Sequence, residues 1–455
     1  MESFDVVIVG GRCAGSALAI HLARAGLQVC VVDKAVFPSE TPSTHVIQPR
    51  GVEALAELGV LESLLAAGAA QLDRFSLIND DIRIDGVMPD SFAHPGLNVR
   101  RAILDHELLR AAVDAGVDVR TGCRVTGVRW SGSRVTGIET VDGPIEGGLV
   151  AGADGRGSVV AESVGARKYL VRPPGRVPIW GYFDAGPQEP LLRIGRKGNL
   201  AFLASPTDSG LYMAGVVVDY DRADDFNRDR ETNFRDALRV WPDLDDIVGD
   251  SERDGPLRTM RHWHSYFRES AGPGWVLAGD AGQFKDFSPA QGIADALCEA
   301  KSLATAIDRA SGSGAAQDRA TRGWWQDRDR HSYDMYWLAM QMGRPGASSP
   351  LITEVMRRIA HDPNGGETML RVLNRELPSA ALFTTPRLLA AAYTAFREYP
   401  AHRRETLAEI RNEVAAEIDK QRARMRSTML SRRDPVVSWR AVAGRAPHST
   451  STARL

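Results

Sequence analysis

Gly10, Gly11 and Gly15 sit between an apolar, β-branched run (Asp5-Val-Val-Ile-Val9) and a run of helix formers from Ser16 to Arg24. Glycines at that spacing let a backbone turn tightly and come close to a bulky anion. The start of a helix offers the anion N–H groups without partners and the positive end of a dipole. An acid follows: Asp33 ends a second apolar run, Val29-Cys-Val-Val32, where its carboxylate can accept the hydroxyls of a ribose. The chemistry offered by Gly10-Gly11-Arg12-Cys13-Ala14-Gly15 and Asp33 is therefore the holding of a dinucleotide. Arg12 stands where the usual pattern has its middle glycine. Its guanidinium either points away or lies against the phosphate, and the second is the expectation.

Positioning such a turn takes a buried strand, a helix and a second parallel strand. The spacing predicts all three, with Gly26 stopping the helix, and together they make the Rossmann signature. Two later segments have related form. Leu149 to Ser158 is an apolar strand broken by Asp154-Gly155. Gly274-Trp-Val-Leu-Ala278 is another buried strand. It runs into Gly279-Asp280, a loop through Lys285, Pro289 and Gly292, and a helix from Ile293 to about Ala310. A parallel sheet interrupted and then resumed implies discontinuous domains. Residues 1–72, 100–169 and 270–312 are expected to form the dinucleotide-binding domain. Residues 73–99 and 170–269, with alternating runs such as Val177–Phe183, are expected to form a separate antiparallel sheet.

Between these landmarks, residues 35–50 carry three prolines and no periodicity, which predicts a long loop bordering the ligand crevice. His45 and Gln48 in that loop are candidates to touch a cofactor or substrate, or to bond within the loop. Residues 51–69 read as one or two helices, 101–115 as a helix, and 223–239 as an amphipathic helix. Residues 259–267 read as a strand. From Gln317 onward the pattern is helical, giving a region 313–432. Its last helix, from about His402 to Met429, has Leu407, Ile410, Val414 and Ile418 on one face, and a basic end continuing to Arg432 and Arg433. Residues 433–455 have the composition of a flexible tail.

At 455 residues the chain has room for two or three domains. A net charge of −2 argues against a nucleic-acid binder. Cys13, Cys30, Cys123 and Cys298 are scattered without a CxxC pair, so neither disulfides nor a metal site is expected. Strand-like sequence from residue 4 predicts no signal peptide and a cytoplasmic location, and no run predicts a membrane span.

Taken together, Gly10–Gly15, Asp154-Gly155 and Gly279-Asp280 resemble, in that order, the three marks of the FAD-dependent monooxygenases of the aromatic-hydroxylase type. Arg101 matches a family arginine near the cofactor. The resemblance covers roughly residues 1–310. It implies an α/β fold in which a Rossmann-like FAD domain interleaves with a substrate-binding sheet, ahead of a helical C-terminal region. It implies bound FAD, with its pyrophosphate on Gly10–Gly15 and its adenosine ribose on Asp33. Asp280 would meet the ribityl chain, and Gly292 and Ile293 would lie near the flavin ring. Lys34, Val125, Asp154, Gly155, Gly279 and Pro289 join the expected cofactor set. NADPH or NADH would dock transiently in the same cleft.

The chemistry that follows from the resemblance is hydroxylation of a small aromatic or polycyclic substrate by O2, through a flavin C4a-hydroperoxide kept in a water-poor cavity. His45 and Lys285 are the candidates for a base, although Lys285 could instead pair with Asp286 on the surface. A monomer or homodimer is expected. Rival readings are a flavin-dependent halogenase, a prenyl reductase of the geranylgeranyl reductase type, and a non-catalytic flavin-binding sensor. The halogenase motif Trp-x-Trp-x-x-Pro is absent, since His262-Trp263-His264 does not match it.

Overall fold

The computed structural model describes residues 2–310 and 312–430. The chain forms a mixed α/β fold with four sheets and a helical C-terminal region. Residues 433–455, expected to be a tail, and the basic residues Arg432 and Arg433 lie outside the described residues.

An eight-stranded sheet carries the glycine turn. Ser3–Val9 lies between Gly143–Gly152 and Val29–Val32, with Asp118–Arg120 beyond the latter and Trp275–Leu277 beyond the former, all parallel. The register does the positioning. Val9 is level with Gly152 and Val32, and Gly152 is level with Leu277. Four strands thus end side by side, and Gly10, Asp33, Asp154 and Gly279 all emerge at one sheet edge. Burial on both faces explains the uninterrupted apolar runs. One face packs Leu18, Leu55, Leu104 and Leu297 from four helices. The other packs Ile138, Val160 and Trp275.

A seven-stranded sheet runs in the order Glu252–Thr259, Arg176–Asp184, Tyr212–Asp219, Leu200–Pro206, Leu191–Lys197, Arg74–Asn79, Ile82–Val87. It is antiparallel except where Leu191–Lys197 pairs parallel with Arg74–Asn79. The expectation of a purely antiparallel sheet fails there, because the two segments lie far apart in sequence and no hairpin fixes their direction. This sheet is also covered on both sides. Val177, Ile179 and Phe183 pack against Phe234 and Trp241, while Trp180 and Tyr182 face Leu338, Val355 and Met369 of the C-terminal helices.

Other local expectations are corrected. Residues 35–50 are not wholly irregular: Val46–Ile47 pairs with Gly96–Asn98, and a helix, Pro49–Leu58, starts at the third proline. Proline suits that first helical position because its missing N–H has no partner there anyway. The helix expected over 223–239 is two, Ala223–Arg228 and Arg230–Arg239, the second capped by the Asp229 side chain. The strand expected over 259–267 is two strands in different sheets, Glu252–Thr259 and Ser265–Arg268. In the last helix, Arg403–Leu430, Ile410 packs inward but Leu407, Val414 and Ile418 are exposed. Among the described residues no helix is long and apolar enough to cross a membrane.

Candidate active site

At the shared strand edge lies a cavity of about 580 Å3. Its wall includes Gly10, Arg12, Cys13, Ala14, Asp33, Lys34, Arg101, Val125, Asp154, Gly155, Gly279, Asp280, Gly292 and Ile293. Gly11 and Gly15 stand behind the wall and shape the turn. Gly10 has φ +105°, and a Cβ on it would sit 2.4 Å from the Ala153 carbonyl oxygen. A Cβ on Gly15 would sit 1.8 Å from the Gly10 carbonyl oxygen, so helix and strand can meet only over glycine. The helix Cys13–Arg24 has no acid in its first turn, and that turn's N–H groups have no acceptor within the helix. Asp33 fixes the turn as well as facing the cavity: Gly11 N donates to Oδ2 (2.8 Å) and Ala35 N to Oδ1 (2.8 Å).

Two carboxylates show that the cavity is built for a polar ligand. Asp154 Oδ2 accepts from Val159 N (2.7 Å) and Val160 N (3.3 Å), while Oδ1 is buried with no partner. Asp280 lines the same cavity beside Gly279. Burial raises both above the usual carboxylate range. An anion-ready helix start, a backbone cradle without Cβ atoms and an orphaned carboxylate oxygen fit a dinucleotide that carries both phosphate and hydroxyl groups.

Arg12 does not keep a free guanidinium for that phosphate. Nη1 donates to Asp105 (2.7 Å) and Nη2 to Ser39 Oγ (2.9 Å), and the group lies 5.3 Å over the Phe37 ring. Asp105 is fully buried and also takes Arg101 (2.8 and 3.0 Å) and the Cys13 thiol (3.3 Å). Sequence reasoning missed Asp105. Its signal was present, four residues after Arg101 on one helix face.

A second carboxylate, Asp295, collects Arg50, Lys285 and Arg375, the last at 2.8 Å. Lys285 lines the cavity, but its partner is Asp295, not Asp286, and it is not a surface lysine. Burial and the guanidiniums of Arg375 and Arg50 push its ammonium well below the ordinary value, against the pull of Glu299 and Asp280. Asp286 instead accepts from Ser288, and burial pushes it up to about 6.

His45 is not on the wall of this cavity, although Thr44 and Val46 are. It is 1% exposed, has φ +63°, and is hydrogen-bonded through Nε2 to the Tyr182 hydroxyl. Burial, then repulsion from Arg101 and Arg100, pushes the imidazole down to about 3. Pro289 is also off the wall, and its carbonyl accepts from Gln48 (3.1 Å), so Gln48 ties two loops together. A second cavity, about 350 Å3, lies between the seven-stranded sheet and the C-terminal helices. It shares Thr44, Pro178, Trp180 and Phe287 with the first, none of them singled out from the sequence.

Residues 3–332 match the FAD binding domain family, and the chain belongs to it. FAD is accordingly its cofactor. Menaquinone reductase of Mycobacterium tuberculosis is 34% identical over 169 residues, which cover 36% of this chain and 41% of that relative's length. A 1H-pyrrole-2-carbonyl-[peptidyl-carrier protein] chlorinase of Pseudomonas fluorescens is 24% identical over 340 residues, 66% of this chain and 74% of that one. A solved flavoprotein/dehydrogenase from Cytophaga hutchinsonii superposes with a TM-score of 0.73 at 20% identity, over 87% of this chain and 100% of that one. That last likeness shows the fold alone.

Proposed function

We propose that this enzyme is an FAD-dependent monooxygenase that takes electrons from NADPH or NADH and hydroxylates a small, mainly apolar, aromatic or polycyclic compound. The observation that carries the reading is the second cavity, which adjoins the first and shares Pro178, Trp180 and Phe287 with it. Bound FAD supplies the electron transfer to O2. The chain supplies the rest. The Gly10–Gly15 backbone and the helix start would hold the pyrophosphate, and Asp33 would orient the ribose. Asp154 Oδ1 and Asp280 would accept hydroxyl hydrogens, and the N–H groups of Gly292 and Ile293 would serve the ring. Leu77, Ile194, Leu203 and Met213 exclude water from the second cavity.

A second reading, halogenation, rests on one observation: Lys285 stands on the wall of the first cavity, where its neutral amine could accept halogen from a hypohalous acid with release of water. Anaerobic mixing with NADPH and then NADH, with and without polycyclic phenols, tests the first reading. Bleaching of the flavin band, quickened by a ligand, is expected. A flavin that stays oxidised with both nucleotides and every ligand sinks it. Bromide-dependent product formation with chemically reduced flavin, lost in Lys285→Met, would then favour halogenation.

A further inference from the structure

The second cavity is apolar along most of its length, yet one end carries polar groups with unused hydrogen-bonding capacity. Asn79 is 5% exposed, and its Nδ2 is buried without a partner among the described residues. Gln341 Nε2 is likewise buried and unpartnered, and both residues line the cavity. Beside them stands Arg196. Its Nη2 donates to the carbonyls of Met342 (3.1 Å) and Arg344 (3.1 Å), and it has no carboxylate partner among the described residues. Burial, then repulsion from Arg176, lowers Arg196 to about 10, against the pull of Asp219 and Asp80. Nearby carboxylates are engaged elsewhere: Asp219 with Arg176 and the Gly346 N–H, Asp80 with the Gly198 N–H, Glu409 with Arg344, and Glu405 with His402.

The sheet register places this polar end relative to the flavin. Asn79, Arg196, Ala201, Val217 and Pro178 stand level across five adjacent strands. Pro178 belongs to the boundary shared with the first cavity. At about 4.8 Å per strand, Arg196 is roughly 14 Å of backbone from that boundary, and Asn79 roughly 19 Å. The next row, Leu77, Ile194, Leu203, Gly215 and Trp180, supplies apolar walls and a glycine floor. Unpaired buried donors are costly unless a ligand pairs them.

We propose that the substrate is an amphiphile with an anionic oxygen group, a carboxylate in the simplest case. Arg196, Asn79 and Gln341 receive that group, and the apolar body lies along the sheet with its far end at the flavin. The proposal rests on the reading of this cavity as the substrate site.

Its test uses the FAD-loaded protein and two matched probes, biphenyl-4-carboxylate and 4-methylbiphenyl, titrated while the flavin absorbance band is followed. The carboxylate should bind about 10-fold or more tightly than the hydrocarbon, as a charge-assisted hydrogen bond in a buried site provides. Arg196→Met should remove that preference while 4-methylbiphenyl still binds, and Arg196→Lys should restore part of it. Gln341→Met, a change of similar volume that leaves Arg196 and its bonds to the Met342 and Arg344 carbonyls in place, should lower carboxylate affinity alone, by a few-fold. Equal binding of both probes by the wild type overturns the anion site and leaves the cavity reading standing. If neither probe perturbs the flavin, the cavity reading fails and this proposal falls with it.

Discussion

Two buried carboxylates hold the wall of the flavin cavity together, and they do so differently. Asp105 takes Arg12, Arg101 and the Cys13 thiol, partners drawn from the glycine turn and from its own helix. Asp295 takes Arg50, Lys285 and Arg375, drawn from an early helix, the loop after Gly279-Asp280 and the C-terminal region. The first clamp lies inside the cofactor-binding unit and fixes its turn. The second fastens later parts of the chain onto that unit. They also differ in charge. Asp105 faces two guanidiniums, whereas Asp295 faces three cations and has Glu299 close enough to be felt by Lys285. Losing Asp105 should therefore be the harsher change.

Asp105→Asn should break the comparison most visibly. It leaves two largely buried guanidiniums without a carboxylate and costs about 3–5 kcal/mol. Urea unfolding should register that loss, and the purified variant should carry little FAD. Asp295→Asn should cost less, about 2–3 kcal/mol, because the Glu299 carboxylate still offsets part of the cation cluster. Equal losses from the two variants would mean that the neighbouring carboxylate does nothing. Arg375→Met should cost about 1–2 kcal/mol, the scale of one charged hydrogen bond. Its effect should be local: faster hydrogen exchange in Gly365–Leu373, with FAD content unchanged. Faster exchange in Cys13–Arg24 as well would erase the distinction between the two clamps.

The same contrast explains how much of the molecule the sequence made legible. The strand, turn, helix and acid from Phe4 to Asp33, and the Asp154-Gly155 and Gly279-Asp280 turns, are local patterns. Each carries its own physical reason within a dozen residues, and strand register then brings them to one edge. Asp105 is intermediate, because its spacing from Arg101 is helical and readable while its hold on Arg12 is not. Asp295 is the opposite case. Arg50 and Lys285 lie more than two hundred positions apart and Arg375 another ninety on, and no periodicity connects them. Lys285 shows the cost of local reasoning. Asp286 is its neighbour in sequence, but adjacent residues in a loop point apart, and the ammonium turns to Asp295. The stripe Leu407, Val414 and Ile418 had helical spacing, yet it lies on the exposed side, so periodicity identified the helix and not the face it buries.

A third buried polar group sharpens the comparison, because it is held by exclusion rather than by pairing. His45 has the Tyr182 hydroxyl on Nε2 and no partner on Nδ1, and the charges nearest to it, Arg101 and Arg100, repel its protonated form. Its folded value of about 3 lies below the ordinary 6.5. Between those values the unfolded chain binds a proton that the folded chain refuses, so this contribution to stability is full above about pH 6.5 and declines as pH falls. The decline reaches about 1.4 kcal/mol by pH 5.5 and continues at up to about 1.4 kcal/mol per unit below that. Urea midpoints at pH 7.5, 6.5 and 5.5 should therefore fall more steeply for the wild type than for His45→Gln. Asp286, raised to about 6, works in the opposite sense, but it is present in both proteins and cancels from the difference. Parallel pH profiles would show that the imidazole accepts its proton in the folded state.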